Sequence, residues 1–228
     1  MFDVKGNQIK SALQGDMNAE NILAAVAAAL TLRIPLEQIS RGIAHVEEIS
    51  GRMQIVQEKP FRVIVDYAHT PDSLERVYAS LQEKNNSEHP SRADIATAVS
   101  NRLVCVLGAT GGGRDAWKRP EFGKIAAANC REIIITDEDP FDEPPEKIME
   151  DIAAGVRQAG FAGAMRIIPD RREAIRHAIS VAKDGDTVII TGKGSESYIR
   201  VANGKRIAWD DREVAREELK EMPHSVKT

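Results

Sequence analysis

The chain has little of what marks several common protein classes. Its only two cysteines, Cys105 and Cys130, sit inside apolar segments without CxxC spacing. That excludes a zinc site built from cysteine alone, and buried, inert thiols in a reducing compartment are the expectation. Positive charge is not in excess: 31 Lys and Arg stand against 35 Asp and Glu, a net charge of −4. Such a chain has no basic field for nucleic acid or an anionic membrane. No apolar run reaches transmembrane length, because the Ala-rich stretch from Ala19 to Leu32 is broken by Glu20, Asn21 and Thr31. Met1 to Lys5 has no secretion-signal character. A cytoplasmic location, with neither nucleic acid nor membrane as partner, is therefore expected. A Walker A sequence is also lacking, since in Gly192-Lys193-Gly194-Ser195 a glycine follows the lysine and no glycine stands at the required upstream position. The GxGxxG fingerprint is missing too, which ranks a Rossmann dehydrogenase last. His45, His89, His177 and His224 have no metal-ligand spacing.

What is present is enough apolar residue, 42% of 228 positions, for one core and a small appendage. Residues 1–50 suggest a hairpin around Gly6-Asn7 and then two helices. The first, from about Ala19 to Leu32, carries Ile22, Val26, Ala29 and Leu30 on one face; the second, from Pro35, carries Leu36, Ile39, Ile43 and Val46. Two helices and a hairpin bury little alone, so this segment reads as the tail of a larger domain. From Gly51 the pattern becomes strand, polar loop, helix. Strands are expected at Val63 to Asp66, Leu103 to Leu107, Ile133 to Thr136, Met165 to Ile168 and Thr187 to Thr191. Helices are expected from Asp72, Pro120, Pro145, Arg171 and Arg212, with capping-box spacing in Asp72/Glu75, Asp170/Glu173 and Asp210/Glu213. This alternation predicts an α/β fold, a Rossmann-like and mainly parallel sheet with helices on both faces. Asn203-Gly204 signals a hairpin and an antiparallel edge, and the polar stretch 82–101 a surface excursion.

Functional candidates gather where strands end. Phe61 to Asp72 is a β-branched run that stops in Asp66, Tyr67, His69 and Pro71, and three other strands end in Gly108 to Arg114, in Asp137-Glu138-Asp139, and in Gly192 to Glu196. Ligands of open α/β sheets collect along such an edge. The glycines of 108–114 suit either an anion site or a tight turn. The acidic run 137–139 suits Mg²⁺, a helix cap or an amine. Arg52 is either a surface charge or a phosphate ligand.

These residues together resemble a known family. Gly51-Arg52-Met53, Val65 to Asp72, Gly111 to Pro120, Thr136 to Pro140 and Gly192 to Glu196 follow, in order and spacing, the C-terminal part of the Mur ligases, most of all the members that add the third amino acid of the peptidoglycan peptide. Gly15 to Asn21 resembles the end of the family's central ATPase domain. The resemblance divides the chain into 1–50, a remnant of that central domain, and 51–228, the C-terminal domain. It implies ATP and Mg²⁺, an amino acid and a UDP-sugar peptide as substrates, and attack of an amine on an acyl phosphate. It further implies that Asn18 faces adenine, Arg52 the phosphates as the catalytic residue, and Asp66 the ribose, with Tyr67 and His69 flanking. Arg114 would meet the amino acid's carboxylate, Glu138, Asp139, Pro140 and Phe141 its side chain, and Gly192 with Glu196 its polar end. Diaminopimelate-adding members read Asp-Asn-Pro-Arg where this chain has Glu138-Asp139-Pro140-Phe141, so a lysine-like substrate is expected. Ser195 replaces a usual histidine. The resemblance implies that the P-loop and the Mg²⁺ ligands belong to central-domain sequence missing here, along with the N-terminal domain, and that the chain does not ligate alone. The rival readings are a non-catalytic nucleotide- or amino-acid-binding module and another amide ligase of the folylpolyglutamate or cyanophycin synthetase type.

Overall fold

The computed structural model describes residues 2–4, 7–13, 16–86, 102–113 and 115–222. At its centre six strands run in the order β3 (Gln54–Gln57), β4 (Arg62–Val65), β8 (Thr187–Ile190), β5 (Leu103–Leu107), β6 (Glu132–Ile135) and β7 (Ala164–Ile167). All neighbours are parallel except β3 with β4. The apolar strand sequences are continuous because both faces are covered, and successive side chains alternate between them. Val63, Val65, Val104, Val106, Val188 and Ile190 pack toward α6 (Arg171–Val181) and α7 (Asp211–Glu221), through residues such as Ile175, Ile179 and Val214. Ile64, Cys105, Leu107, Ile133, Ile135 and Ile189 point the other way, toward α3 (Pro71–Asn86), α4 (Lys118–Asn129) and α5 (Pro145–Gln158).

The N-terminal residues form their own small cluster. Strands β1 (Phe2–Val4) and β2 (Asn7–Ile9) pair antiparallel, and Ile9 packs with Ile22 and Val26 of α1 (Asp16–Thr31) and Ile39 of α2 (Leu36–Ala44). No described helix is long and apolar enough to cross a membrane.

Four sequence expectations are corrected. The antiparallel edge exists, but β3 supplies it; the Asn203-Gly204 hairpin, β9 (Tyr198–Val201) with β10 (Lys205–Ala208), is a separate two-stranded sheet. Strand β3 has only four residues and a register shift between Ile55 and Gln57, too short a run to show alternation. The cap of α3 is Thr70, not Asp72: Ser73 N–H donates to the Thr70 hydroxyl (3.2 Å) while Thr70 N–H donates to the Ser73 hydroxyl (3.0 Å), and Pro71 fits the first turn where no N–H is needed. Residues 82–86 prolong α3 instead of leaving it, and the stretch 87–101 lies outside the described residues. Cys105 and Cys130 are buried as expected but joined as a disulfide, because the end of α4 packs over β5 and brings their Cα atoms to 6.1 Å.

Candidate functional site

Adjacent parallel strands β4, β8, β5 and β6 end on one rim, so the four suspected loops are neighbours. At the β4 end, Asp66 is only 4% exposed. Its Oδ2 accepts from Met53 N–H and its Oδ1 from Ala68 N–H, both at 2.7 Å, which stitches the segment before β3 to the turn after β4. Burial raises the Asp66 pKa, and those two N–H groups, Arg52 and His69 oppose the rise. Arg52 is exposed, with its guanidinium 4.3 Å above the Tyr67 ring, and Tyr67 lies against His69 with ring centroids 4.5 Å apart. With Asn18 these side chains line a cavity of about 440 Å³. The N-terminal cluster thus contributes to the same site as the strand ends.

The β5 and β6 ends, with the start of α4, form a second, smaller polar space. Glu138 is buried, and the Thr110 hydroxyl donates to its Oε1 at 3.1 Å. Burial pushes its carboxyl up to about 7, against the pull of Arg171 and Lys193. Gly192 (φ +108°) must be glycine here, since a Cβ would stand 2.1 Å from Glu138 Oε2. Lys193 is fully buried and donates to Asp139 Oδ1 (2.8 Å) and Glu196 Oε2 (2.6 Å). Thr110, Gly111, Lys118 and Glu138 line a cavity of about 250 Å³, and His69 forms part of its wall as well as of the larger one. Pro140 is buried and Phe141 half-buried beside it. Arg114 lies outside the described residues.

The acidic run resolves into separate duties. Asp137 Oδ1 accepts from Glu138 N–H, Glu138 pairs with Thr110, and Asp139 holds the ammonium of Lys193. The cap position of α5 is Pro144, with no side-chain hydrogen bond. Among the described residues no group of three or more His, Cys, Asp or Glu could hold a metal ion. The amine recognised by Asp139 is internal.

Two structural groups were not legible as site residues. Arg171 is buried and donates to the carbonyls of Asp137 (3.0 Å) and Thr191 (2.9 Å), holding two of the rim loops from beneath, while Asp211 accepts from its Nε and Nη2 (2.8 and 2.7 Å). Lys193 was visible only as part of a failed phosphate-loop pattern. The rim closes on itself at Gly51 (φ +63°), where a Cβ would lie 2.2 Å from the main chain of Gly194 and Ser195. The turn before Arg52 and the turn after Gly192 are therefore in contact.

A mainly parallel, doubly covered sheet with two cavities along its carboxyl edge defines a Rossmann-like domain. The chain belongs to the family described as Mur ligase, glutamate ligase domain, which matches residues 51–194. It is 41% identical over 213 residues to the UDP-N-acetylmuramoyl-L-alanyl-D-glutamate--2,6-diaminopimelate ligase of Solibacter usitatus (strain Ellin6076), covering 93% of this chain and 40% of that protein. The ligase of the same name from Geobacillus kaustophilus (strain HTA426) is 40% identical over 214 residues, with the same coverage. A solved structure of a ligase of that name superposes with a TM-score of 0.65 at 34% identity, covering 93% of this chain and 40% of the other. The UDP-N-acetylmuramate-alanine ligase of Thermotoga maritima shares the fold at 16% identity and a TM-score of 0.60, covering 93% of this chain and 39% of its own. The chain thus spans about 40% of the length of these curated relatives.

Proposed function

We propose that this chain supplies the amino-acid site and one wall of the nucleotide site of an ATP-dependent ligase that adds the third residue to UDP-N-acetylmuramoyl-L-alanyl-D-glutamate in peptidoglycan synthesis. The observation that carries this reading is the junction of two differently sized cavities on one rim, with His69 in both walls and Gly51 against Gly194. Asn18, Arg52, Asp66, Tyr67 and His69 hold the nucleotide. Arg52 faces its phosphates, since a guanidinium offers several N–H donors to phosphate oxygens. Arg114, Glu138, Asp139, Pro140, Phe141, Gly192 and Glu196 surround the amino acid. The relatives' names, which print 2,6-diaminopimelate, support a 2,6-diamino acid as the substrate class.

In this reaction the substrate's amine, having lost a proton, attacks an acyl phosphate. A C–N bond forms, the C–O bond to phosphate breaks, and inorganic phosphate leaves. This chain's part is to bind and align the amine and to exclude water from it. In this proposal the Mg²⁺ ligands and the phosphate loop belong to central-domain sequence.

Calorimetric titration tests the proposal. The chain should bind an ATP analogue and a 2,6-diamino acid, with Asp66→Ala weakening only the first and Glu196→Gln only the second. Binding of neither ligand would overturn it.

A further inference from the structure

The β9–β10 hairpin carries an arrangement that the ligation chemistry leaves unused. Arg200 and Arg206 stand directly opposite each other in its register, and Tyr198 lies on the same face two residues before Arg200. Like charges opposed across a hairpin destabilise it. The Arg206 guanidinium lies 4.5 Å over the Tyr198 ring, and that of Arg200 lies 5.2 Å from the same ring and 5.6 Å from Phe141. Among the described residues Arg206 has no ion pair, and Arg200 has only Asp139, at 3.8 Å from its Nε. Asp139 already receives Lys193, and Lys193 also takes Glu196. Asp139 and Glu196 are thus both engaged by Lys193, which leaves the two hairpin guanidiniums without a close carboxylate of their own.

The main chain fixes where that charge sits. Arg200 N–H donates to Asp139 Oδ1 at 2.8 Å, and its carbonyl accepts from Phe141 N–H at 3.2 Å, so Arg200 is bonded to the 139–141 loop through both its main-chain groups. Arg200 Nη2 donates to the Tyr198 hydroxyl at 3.0 Å, so its remaining N–H groups, with those of Arg206, are the donors that a carboxylate's two oxygens would meet.

Resting on the reading that this loop surrounds the side chain of a 2,6-diamino acid, we propose that Arg200 and Arg206 seat a carboxylate at the far end of that side chain, so that the chain selects 2,6-diaminopimelate over lysine. The anion relieves the opposition of the two arginines. This reverses the lysine expectation drawn from Phe141: the cation missing from position 141 arrives from the neighbouring hairpin, where a linear reading does not look for it.

Titration of the 228-residue chain with diaminopimelate and with L-lysine, in wild type, Arg200→Gln, Arg206→Gln and Arg200→Lys, tests this. Wild type should bind diaminopimelate at least about tenfold more tightly than lysine, and Arg200→Gln should lose about ten- to hundredfold for diaminopimelate alone, the range expected for a charge-assisted pair. Arg206→Gln should act in the same direction, and Arg200→Lys, which keeps the charge but not the fork, should lose less. Melting temperatures equal to wild type establish that the variants fold. Equal wild-type affinity for both amino acids, or an equal loss for both in Arg200→Gln, overturns the inference and leaves the amino-acid site standing. An unchanged affinity for diaminopimelate in both glutamine variants overturns it too, and points the pair at a carboxylate of the peptide substrate instead. If wild type binds neither amino acid, the functional reading falls and this inference with it.

Discussion

Glu138 keeps a buried carboxyl against the Thr110 hydroxyl and the bare Cα of Gly192, and its protonation couples the rim to pH. Its folded-state value of about 7 lies above the ordinary 4.5. Between those values the folded chain holds a proton that the unfolded chain has released. The contribution of this group to stability is therefore full below pH 4.5 and lost as pH rises through 7. Asp66, also raised by burial, adds the same sign. Urea midpoints of Glu138→Gln and wild type, compared below pH 4.5 and above pH 7, should show the variant gaining on wild type as pH rises. Lys193→Met should cost about 3 kcal/mol or more in the same measurement, because it strands Asp139 without its ammonium. The positions of Asp66 and Glu138 at strand ends were legible because apolar runs mark the strands that precede them. The burial of Lys193 was not, since it depends on Asp139, 54 positions earlier.

Helices and strands were more legible than the bonds between them. Asp170 caps α6 by accepting from Glu173 N–H at 2.9 Å, and Asp210 caps α7 by accepting from Arg212 N–H at 2.9 Å, as their spacing implied. The tie between those helices left no such trace. Arg171, at the start of α6, and Asp211, at the start of α7, are both buried and form an ion pair whose two positions say nothing of each other in sequence. Replacing Arg171 with Met should lower the unfolding free energy by about 3–5 kcal/mol, by leaving the Asp211 carboxylate uncompensated. The double variant with Asp211→Leu should fall short of the sum of the single losses, a coupling that a double-mutant cycle in urea reads directly. Since Arg171 also holds the carbonyls of Asp137 and Thr191, Arg171→Met should also weaken amino-acid binding.

Across the whole molecule, most of the order of strands and helices from Gly51 onward could be read from the sequence, because β4, β5, β6 and β8 carry apolar runs and most helices a marked start, while the short β3 shows no such run. What those runs could not give is lateral order: β8 lies between β4 and β5, and only that insertion brings Gly192 to Glu196 between the other loops. The same packing joins Cys105 to Cys130, 25 residues apart. Thiol titration of the unreduced chain in denaturant should find no reactive thiol, and reduction should lower stability by about 3 kcal/mol, the loop-closure value for such a separation. Incubated with ATP, the UDP-sugar peptide and a diamino acid, the isolated chain should form no amide, as read by phosphate release.

Where Gly51 meets Gly194, two stretches of polypeptide far apart in the chain touch with no side chain between them. Such a seam leaves no room for a side chain on either turn. A single added methyl at either turn would stand against the main chain of the other, 2.2 Å away at Gly51 and 2.8 Å at Gly194, and would wedge the two apart.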